Sequence, residues 1–309
     1  MGFKAVNIGV LTINDFNFHP NRRLKETAKK LGHNITLINP YDIIAQLHSG
    51  KFEYSITKSI KHTKRNQTTN NIDVIMPRQG APMGDYGLVL LRHLKLMDIP
   101  LINGLNSITI TRNQYITLQV LASSGLPVPH TCFITKKANF LKAAKQVCPG
   151  SVFPVILKQV SGMGGDGVIK ANNEKNAMSF LEAYLKNRSG VIIQQFIPPK
   201  KRKDIRIFVI GAQIAGAMEL EPQGSEFRAN IHQLGEAKEF KLSENLKQLA
   251  LKASKACDLE IAGIDIIIEK NGHPLIIEVN SSPGFRGLEA ATRVDIADQI
   301  INYIALTYG

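Results

Sequence analysis

The chain has 309 residues, of which 44% are hydrophobic, and it carries a formal net charge of +13 at pH 7. This length and composition are typical of a globular protein with a sizeable core, and no apolar run reaches the length of a membrane span, so we expect a cytoplasmic protein without membrane contact. The three cysteines are odd in number and lack the spacing of a disulfide framework or a zinc site, so we interpret them as reduced packing residues.

The first hundred residues predict a small doubly wound α/β lobe. A strand, a helix that ends at Gly32 and a second strand form a βαβ opening, and a third strand and an amphipathic helix follow. These elements are predicted at residues 6–11, 21–31, 35–38, 73–76 and 86–97, and a short strand at 100–102 follows them. Ligands of such lobes bind at the carboxyl ends of the strands, where Asn39, Arg78 and Asn103 fall.

This lobe is also the most basic part of the chain. Residues 1–105 carry 14 Lys and Arg against 7 Asp and Glu. Such a field attracts phosphates, carboxylates, acidic peptides or nucleic acid, and composition alone does not rank them. Nucleic acid is not expected, because no reading motif is present, and the basic clusters at 61–65 and 200–203 are typical of solvated loops.

The remaining two thirds predict two α+β units. A helix at 112–124 closes at Gly125 and leads into the proline-containing segment 126–129, which we interpret as a lobe boundary. Strands are predicted at 153–158, 168–170, 191–196, 205–210, 213–219, 262–268 and 275–280, and helices at 176–185, 243–257 and 295–305.

A glycine-dense loop, residues 161–167, separates two of these strands. Glycines let backbone N–H groups approach an anion, so the loop is a candidate lid over phosphates, although a plain flexible turn explains it equally well. Lys158 precedes the loop at a strand end, from which its charge can reach the same phosphates. Arg206 and Arg228 are candidates for clamping a transferring phosphoryl group, with pairing to surface acids as the alternative.

Two apolar strands near the C-terminal end carry three oxygen-bearing side chains. The Asn-Gly pair at 271–272 predicts a two-residue type I′ hairpin loop, which places Asp265 directly opposite Glu278, with Asn280 on the same face. Facing carboxylates repel each other, and two carboxylates with an amide oxygen suit Mg²⁺ that also contacts substrate phosphates. Alternatively, both acids point to solvent beside cationic neighbours and Pro274 shifts the register.

The order of these motifs is more specific than any one of them. After Lys158 and the glycine loop come Gln194-Gln195-Phe196-Ile197, Asp204-x-Arg206, Phe227-Arg228-x-Asn230, Ala262-Gly263-Ile264-Asp265 and Glu278-Val279-Asn280-Ser281-Ser282-Pro283-Gly284. This order resembles the ATP-grasp superfamily and, within it, the RimK family of ATP-dependent glutamate ligases. The resemblance covers nearly the whole chain.

The resemblance implies a mixed α/β and α+β ATP-grasp fold, in which an N-terminal doubly wound lobe and two α+β lobes enclose the nucleotide. We expect a pre-ATP-grasp domain at residues 1–110, a central subdomain with the glycine-rich lid at 111–190 and a C-terminal subdomain with the metal site at 191–309.

Site roles follow from the resemblance. It implies an adenine slot at Gln195, Phe196 and Ile197, with Asp204 on the ribose side. The residues implied to bind the ATP phosphates are Lys158, Gly162, Gly164, Gly165, Arg206 and Arg228. Asp265, Glu278 and Asn280 match the ligands of two Mg²⁺ ions, for which Mn²⁺ can substitute, and Arg228 and Asn280 match catalytic positions.

The implied reaction phosphorylates a carboxylate with ATP, and an amine attacks the acyl phosphate to form an amide. The expected amine is L-glutamate and the expected acceptor an acidic peptide or the C-terminus of a protein, such as a ribosomal protein; we also expect a homo-oligomer. Carrier proteins, peptide natural products and cofactors remain alternative acceptors, and a non-catalytic ATP-binding regulator remains an alternative function. Two departures from the family pattern are Gln114, where a lysine is usual, and Gln195, where glutamate is common.

Overall fold

The structure is a computed structural model that describes residues 4–56, 72–78, 84–161, 167–186, 190–221 and 237–309. The predicted site residues Gly162, Gly164, Gly165 and Arg228 lie outside these ranges, as does the basic cluster at 61–65.

Helices and strands alternate along the described residues. The strands are β1 (Asn7–Leu11), β2 (Asn34–Ile38), β3 (Ile43–His48), β4 (Lys51–Ile56), β5 (Val74–Pro77), β6 (Thr131–Ile134), β7 (Val155–Gln159), β8 (Val168–Ala171), β9 (Val191–Gln195), β10 (Arg202–Ile210), β11 (Gln213–Leu220), β12 (Ala237–Glu239), β13 (Ile261–Glu269) and β14 (Pro274–Asn280). The helices are α1 (His19–Lys30), α2 (Gly84–Leu96), α3 (Leu105–Thr111), α4 (Gln114–Ser123), α5 (Phe140–Val147), α6 (Glu174–Tyr184), α7 (Glu244–Ala256), α8 (Arg286–Thr292) and α9 (Ile296–Tyr308). None of these helices is both long and apolar enough to cross a membrane.

The first lobe is built on a parallel sheet in the order β2-β1-β5. Helix α1 starts with Pro20 in its first turn and buries Leu24 and Ala28, and the chain leaves it through Gly32 at φ 81°. The hairpin β3-β4 was not predicted, because its strands are largely exposed, with Leu47 at 75% relative exposure. The strand predicted at 100–102 is reduced to one parallel bridge between Ile75 and Leu101.

The central lobe is a four-stranded antiparallel sheet in the order β6-β9-β7-β8. Its core joins Leu157 of β7 and Ile193 of β9 to Phe140 of α5 and Leu181 of α6. Strand β7 is an interior strand and leads into the glycine-rich loop, so Lys158 lies near the edge from which that loop departs.

The C-terminal sheet is antiparallel, in the order β12-β11-β10-β13-β14. Alternation along β10 sends Ile205 and Ile207 into the core that includes α7, whereas Phe208 packs in a second core with α8 and α9. Asp204 and Arg206 alternate with those isoleucines and therefore share the face of Phe208. This pattern decides which polar side chains of the strand meet the site.

The first lobe and the C-terminal sheet share one hydrophobic core. Val10 of β1 and Leu24 of α1 belong to the same buried cluster as Phe208, Phe285 and Ile304. Because this cluster is continuous, the first lobe is held firmly against the sheet that carries the acidic pair.

Candidate active site

Three charged side chains form a row across the C-terminal sheet. Arg206 of β10 is paired in register with Asp265 of β13, which is paired with Glu278 of β14. Residues directly opposite each other in a sheet project from the same face, so all three charges lie side by side. The predicted juxtaposition of Asp265 and Glu278 is therefore confirmed.

The loop between these strands differs from the predicted two-residue turn. The Glu269 N–H donates to the His273 carbonyl at 2.9 Å, so the loop has three residues, 270–272. A type I′ turn needs positive φ at two residues, whereas only Gly272, at φ 84°, has it in this loop.

A bulge corrects the register that the longer loop sets. From Ile266 paired with Ile276, an uninterrupted ladder would place Asp265 opposite Ile277. The register instead shifts by one residue at that point, and Asp265 pairs with Glu278. The acidic pair thus results from two compensating irregularities, and the predicted turn was wrong although the predicted pair is correct.

Arg206 and Asp265 form a bidentate ion pair. The Arg206 Nε and Nη2 atoms donate to the two carboxylate oxygens of Asp265, each at 2.6 Å. Burial lowers the pKa of Arg206, but the paired Asp265 carboxylate more than offsets it and the pKa is raised. Arg206, predicted as a phosphate ligand, thus neutralises an acid of the predicted metal site in this structure.

The surroundings of Glu278 disfavour its charged form. Burial and the facing Asp265 carboxylate raise its pKa, while Arg206, Lys158 and a hydrogen bond with Asn280 act in the opposite direction. Asn280 faces Gly263 across the strand pair, where an added Cβ would lie 2.8 Å from the Pro283 side chain. The glycine therefore lets the segment after Asn280 fold closely over the sheet.

Lys158 approaches this row from the central sheet. Its side chain is only 8% exposed, and burial lowers its pKa to about 8, although Glu278 acts to raise it. The lysine is thus close enough to interact electrostatically with the carboxylates of Glu278 and Asp265, and the site lies between the central and C-terminal sheets.

The residues present fit a divalent cation. Carboxylate and amide oxygens are the hard donors that Mg²⁺ takes, and the raised pKa of Glu278 marks negative charge that a cation would balance. In the described part of the chain no three His, Cys, Asp or Glu side chains are grouped as metal ligands. The donor set is therefore two carboxylates completed by the Asn280 amide.

Arg202 and Asp204 extend the polar face of β10. Arg202 was predicted to lie in a solvated loop, but it begins β10 with its side chain 7% exposed and its Nη2 atom donates to Asp204 at 3.0 Å. Burial raises the pKa of Asp204, and the Arg202 charge opposes this. The alternation of charged residues at 202, 204 and 206 was the signal that could have identified this face.

The segment predicted to hold adenine follows β9. The Gln195 N–H donates to the His130 carbonyl at 3.0 Å, while its side-chain oxygen accepts from the His130 N–H at 3.1 Å. The Lys170 ammonium lies 4.5 Å from the centre of the Phe196 ring, and Ile197 is buried. The Gln195 side chain thus anchors this segment to His130.

Comparison with known protein families shows to which family the chain belongs. The family model of the RimK PreATP-grasp domain matches residues 6–108, and that of the RimK-like ATP-grasp domain matches residues 111–304. The chain belongs to the RimK family.

A curated relative and two solved structures agree with this. The chain is 33% identical over 299 residues to a "Probable alpha-L-glutamate ligase" of Legionella pneumophila (strain Corby), covering 97% of this chain and 95% of that protein. The macrocyclase MdnC of Microcystis aeruginosa MRC, bound to its precursor peptide MdnA, superposes with a TM-score of 0.73 at 16% identity over 98% and 100% of the two chains. The ligase PsnB, complexed with a phosphomimetic variant of its minimal precursor, Mg and ADP, gives 0.71 at 17% identity over 99% and 100%.

Family membership fixes the class of fold and reaction. The predicted ATP-grasp fold is confirmed, and the chain is an ATP-dependent carboxylate–amine ligase. The polar face described above belongs to the ATP-grasp part of the chain.

One departure from the RimK pattern lies beside the glycine-rich loop. Gln114 is the first residue of α4, and its backbone N–H donates to the Val160 carbonyl at 2.8 Å. Residue 114 is thus adjacent to the segment that leads into the predicted lid, where a lysine would add a cation.

Asn39 and Asn103, which the sequence suggested as ligand-binding residues of the first lobe, are structural in this RimK-family chain. Asn39 caps a short helical turn through the Tyr41 N–H. Asn103 is 1% exposed, and backbone groups of the C-terminal sheet, including both polar atoms of Ile261, occupy its amide. Arg78 is taken up below.

Proposed function

We propose that the chain activates a substrate carboxylate as an acyl phosphate and joins it to the amino group of L-glutamate. The observation that carries the proposal is the convergence of Lys158 from one sheet with Glu278 and Asp265 from another. A buried lysine can bind the phosphates of ATP, and an acidic pair that faces it can bind a cation that also contacts those phosphates.

The chain's own residues bind and orient the reactants in this proposal. Lys158 neutralises phosphate charge, and the backbone of Gln195, Phe196 and Ile197 receives adenine, with Asp204 on the ribose side. Arg206 holds Asp265 in place. The glycines of the lid and Arg228 complete the phosphate site, and enclosure between the sheets keeps water from the acyl phosphate.

Asp265, Glu278 and Asn280 would hold two Mg²⁺ ions, and Mn²⁺ is expected to substitute. When bound, the metal neutralises charge on the phosphoryl group being transferred.

An acidic peptide or protein C-terminus, including that of a ribosomal protein, is the proposed acceptor. The excess of Lys and Arg in residues 1–105 favours an acidic partner, because opposite charge steers association. The name of the Legionella relative supports glutamate as the added amino acid, and the precursor peptides bound to MdnC and PsnB support a peptide acceptor. A carrier protein, a peptide natural product and a cofactor are the alternative acceptors.

The test is phosphate release from Mg-ATP with a panel of amino acids, with and without acidic peptides, followed by mass spectrometry. We expect release only when an amino acid and an acceptor are both present, and a peptide heavier by one or more glutamate residues. Release that yields a different adduct would replace the proposed substrate, and ATP binding without turnover for any pair would contradict the ligase.

The alternative of a non-catalytic ATP-binding regulator, which Gln114 suggested from the sequence, is set aside because the chain belongs to a family of ATP-dependent ligases and retains Asp265, Glu278 and Asn280.

The division into domains 1–110, 111–190 and 191–309 and the homo-oligomer remain proposals. Limited proteolysis tests the first and light scattering the second.

A further inference from the structure

Arg78 is a buried cation without a counter-charge. It follows β5 at the carboxyl end of the first lobe's sheet, and its side chain is only 7% exposed. Its Nη2 atom donates to the Pro283 carbonyl at 3.1 Å, whereas its Nε atom is buried and has no hydrogen-bond partner among the residues that the structure describes. No acidic side chain of the described residues forms an ion pair with it.

Other shielded guanidinium groups in the described part of the chain have carboxylate partners. Arg202 pairs with Asp204 and Arg206 with Asp265. Arg23, which is 26% exposed, pairs with two acids of the C-terminal part. Arg78 is as buried as Arg202 but lacks such a partner, and burial accordingly lowers its pKa to about 10.

The position of Arg78 connects it with the active site. Pro283 lies three residues beyond Asn280, in the segment that folds over the acidic face. The guanidinium carbon also lies 5.9 Å from the centre of the fully buried Phe285 ring. Arg78 therefore reaches the segment after the proposed metal ligands from the first lobe.

A second buried nitrogen without a partner belongs to His19, whose ring packs against the same Phe285 side chain. The two ring centres are 6.0 Å apart in an edge arrangement, and the His19 Nδ1 atom has no hydrogen-bond partner among the described residues. His19 is the first residue of α1, whose N-cap Phe18 makes no side-chain capping bond. The other ring nitrogen, Nε2, lies 3.8 Å from the Glu289 carboxylate, so His19 already has an acidic neighbour and only the N-terminus of α1, which favours anions, suggests the same kind of ligand as Arg78 does.

We propose that Arg78 is a specificity-determining residue that binds a substrate carboxylate between the first lobe and the segment after Asn280. The inference rests on the proposed ligase function and names the side from which a substrate enters. The guanidinium offers a planar fork of donors that matches a carboxylate, and a group that stays ionised during the reaction is the natural partner for a permanent cation. Either the incoming amino acid or the acidic acceptor can supply that carboxylate.

Equilibrium binding separates this inference from the ligase proposal, because it needs no turnover. Calorimetric titration with L-glutamate, and separately with an acidic peptide, is done in the presence of Mg²⁺ and a non-hydrolysable ATP analogue. We expect Arg78→Gln to weaken one of the two ligands by about 10- to 100-fold, as for loss of a charge-assisted contact, with the affinity for the analogue changed less than about twofold. The ligand that weakens identifies the source of the carboxylate.

An amide analogue of the affected ligand gives a readout that a structural role would not move. Wild-type protein should reject the analogue in which that carboxylate is replaced by an amide, and Arg78→Gln should bind acid and amide nearly equally. Arg78→Lys, which keeps the charge, covers the case in which the glutamine variant does not fold. Arg92→Gln, at an exposed position of α2, is the matched control and should bind as wild type does.

Unchanged affinity for both ligands in a folded Arg78 variant would overturn the inference, as would retained discrimination between acid and amide. Ligand binding that depends on Arg78 in a protein that never releases phosphate would uphold it while contradicting the ligase proposal.

Discussion

Two buried polar clusters of this molecule are built on opposite principles. In the first, the joint between the first lobe and the C-terminal sheet, the Asn103 amide donates to the carbonyls of Ile261 and Ser281, each at 2.7 Å. Its oxygen accepts from the N–H groups of Glu260 and Ile261 at 2.8 and 2.9 Å. Every donor and acceptor direction of the side chain is occupied.

In the second, the active-site face, charges oppose one another. Asp265 faces Glu278, the pKa of Glu278 is raised, and Lys158 is buried with its pKa lowered to about 8. Each shift means that folding holds the group where its charged form is disfavoured.

This contrast between satisfied hydrogen bonds and opposed charges distinguishes residues that stabilise the fold from residues whose charges are balanced only when a ligand binds. A satisfied buried amide contributes stability, whereas unbalanced buried charges cost stability that is returned on binding. Substitutions in the joint should therefore reduce stability, and substitutions on the face should reduce activity with little loss of stability.

The largest effect is expected for Asp265→Asn on the face. Loss of one acid should lower kcat by about 1,000-fold, because several kcal/mol of charge stabilisation are removed. The melting temperature should change little, because relief of the repulsion with Glu278 opposes loss of the ion pair with Arg206. Phosphate release and calorimetry measure the two quantities, with Asp298→Asn, at a half-buried position of α9, as control. Wild-type kcat in Asp265→Asn would show that this face does not hold the metal.

The joint gives the reverse expectation. Asn103→Ala should lower the free energy of unfolding by about 3–5 kcal/mol, because two N–H groups and two carbonyls are left buried without partners. Denaturant unfolding measures this, and kcat per folded molecule should hold near the wild-type value. Asn302→Ala, which removes an exposed bond to Asp298, is the control and should cost less than about 0.5 kcal/mol. A stable Asn103→Ala variant would remove the distinction between the two clusters.

Lys158→Met sharpens the comparison with a smaller effect. The KM for ATP should rise by about 10- to 100-fold, the size of a charge-assisted hydrogen bond, while the melting temperature does not fall because a desolvated charge is removed. Steady-state kinetics and calorimetry test both. The exposed Lys136→Met should behave as wild type, and a marked loss of stability in Lys158→Met would place Lys158 with the structural residues instead.

Gln114→Lys should have the smallest effect. Residue 114 lies beside the segment that leads into the glycine-rich loop, so a lysine there should lower the KM for ATP by about two- to fivefold through one added, partly solvated charge. Kinetics against ATP concentration test this. An unchanged KM would indicate that residue 114 does not contact nucleotide.

Elements that depend on local pattern were predictable from sequence. The strand β1, the helix α1 and the strands β10, β11, β13 and β14 of the C-terminal sheet follow hydrophobic alternation or glycine stops, and most of their bounds shifted by only a few residues, whereas the short strand β12 was not predicted. The hairpin β3-β4 was missed, because exposed strands lack the apolar alternation that marks a half-buried one.

Contacts between elements distant in sequence were not predictable. Arg206 meets Asp265 because β10 lies beside β13, although the whole of α7 separates them in the chain. The prediction that Asp265 pairs with Glu278 was based on a two-residue turn that does not form. The bulge that restores this pairing has no sequence signal that we recognised. The burial of Arg78 depends on the docking of the first lobe, which no local pattern encodes.

The most direct test of the central claim is metal binding at the acidic pair. Mn²⁺ titration, followed by electron paramagnetic resonance in the presence of a non-hydrolysable ATP analogue, compares wild type with Glu278→Gln. We predict tight Mn²⁺ binding in the wild type that weakens by at least about tenfold in the variant while both remain folded. Equal Mn²⁺ affinity in the two proteins would contradict the assignment of the opposed carboxylates to the metal.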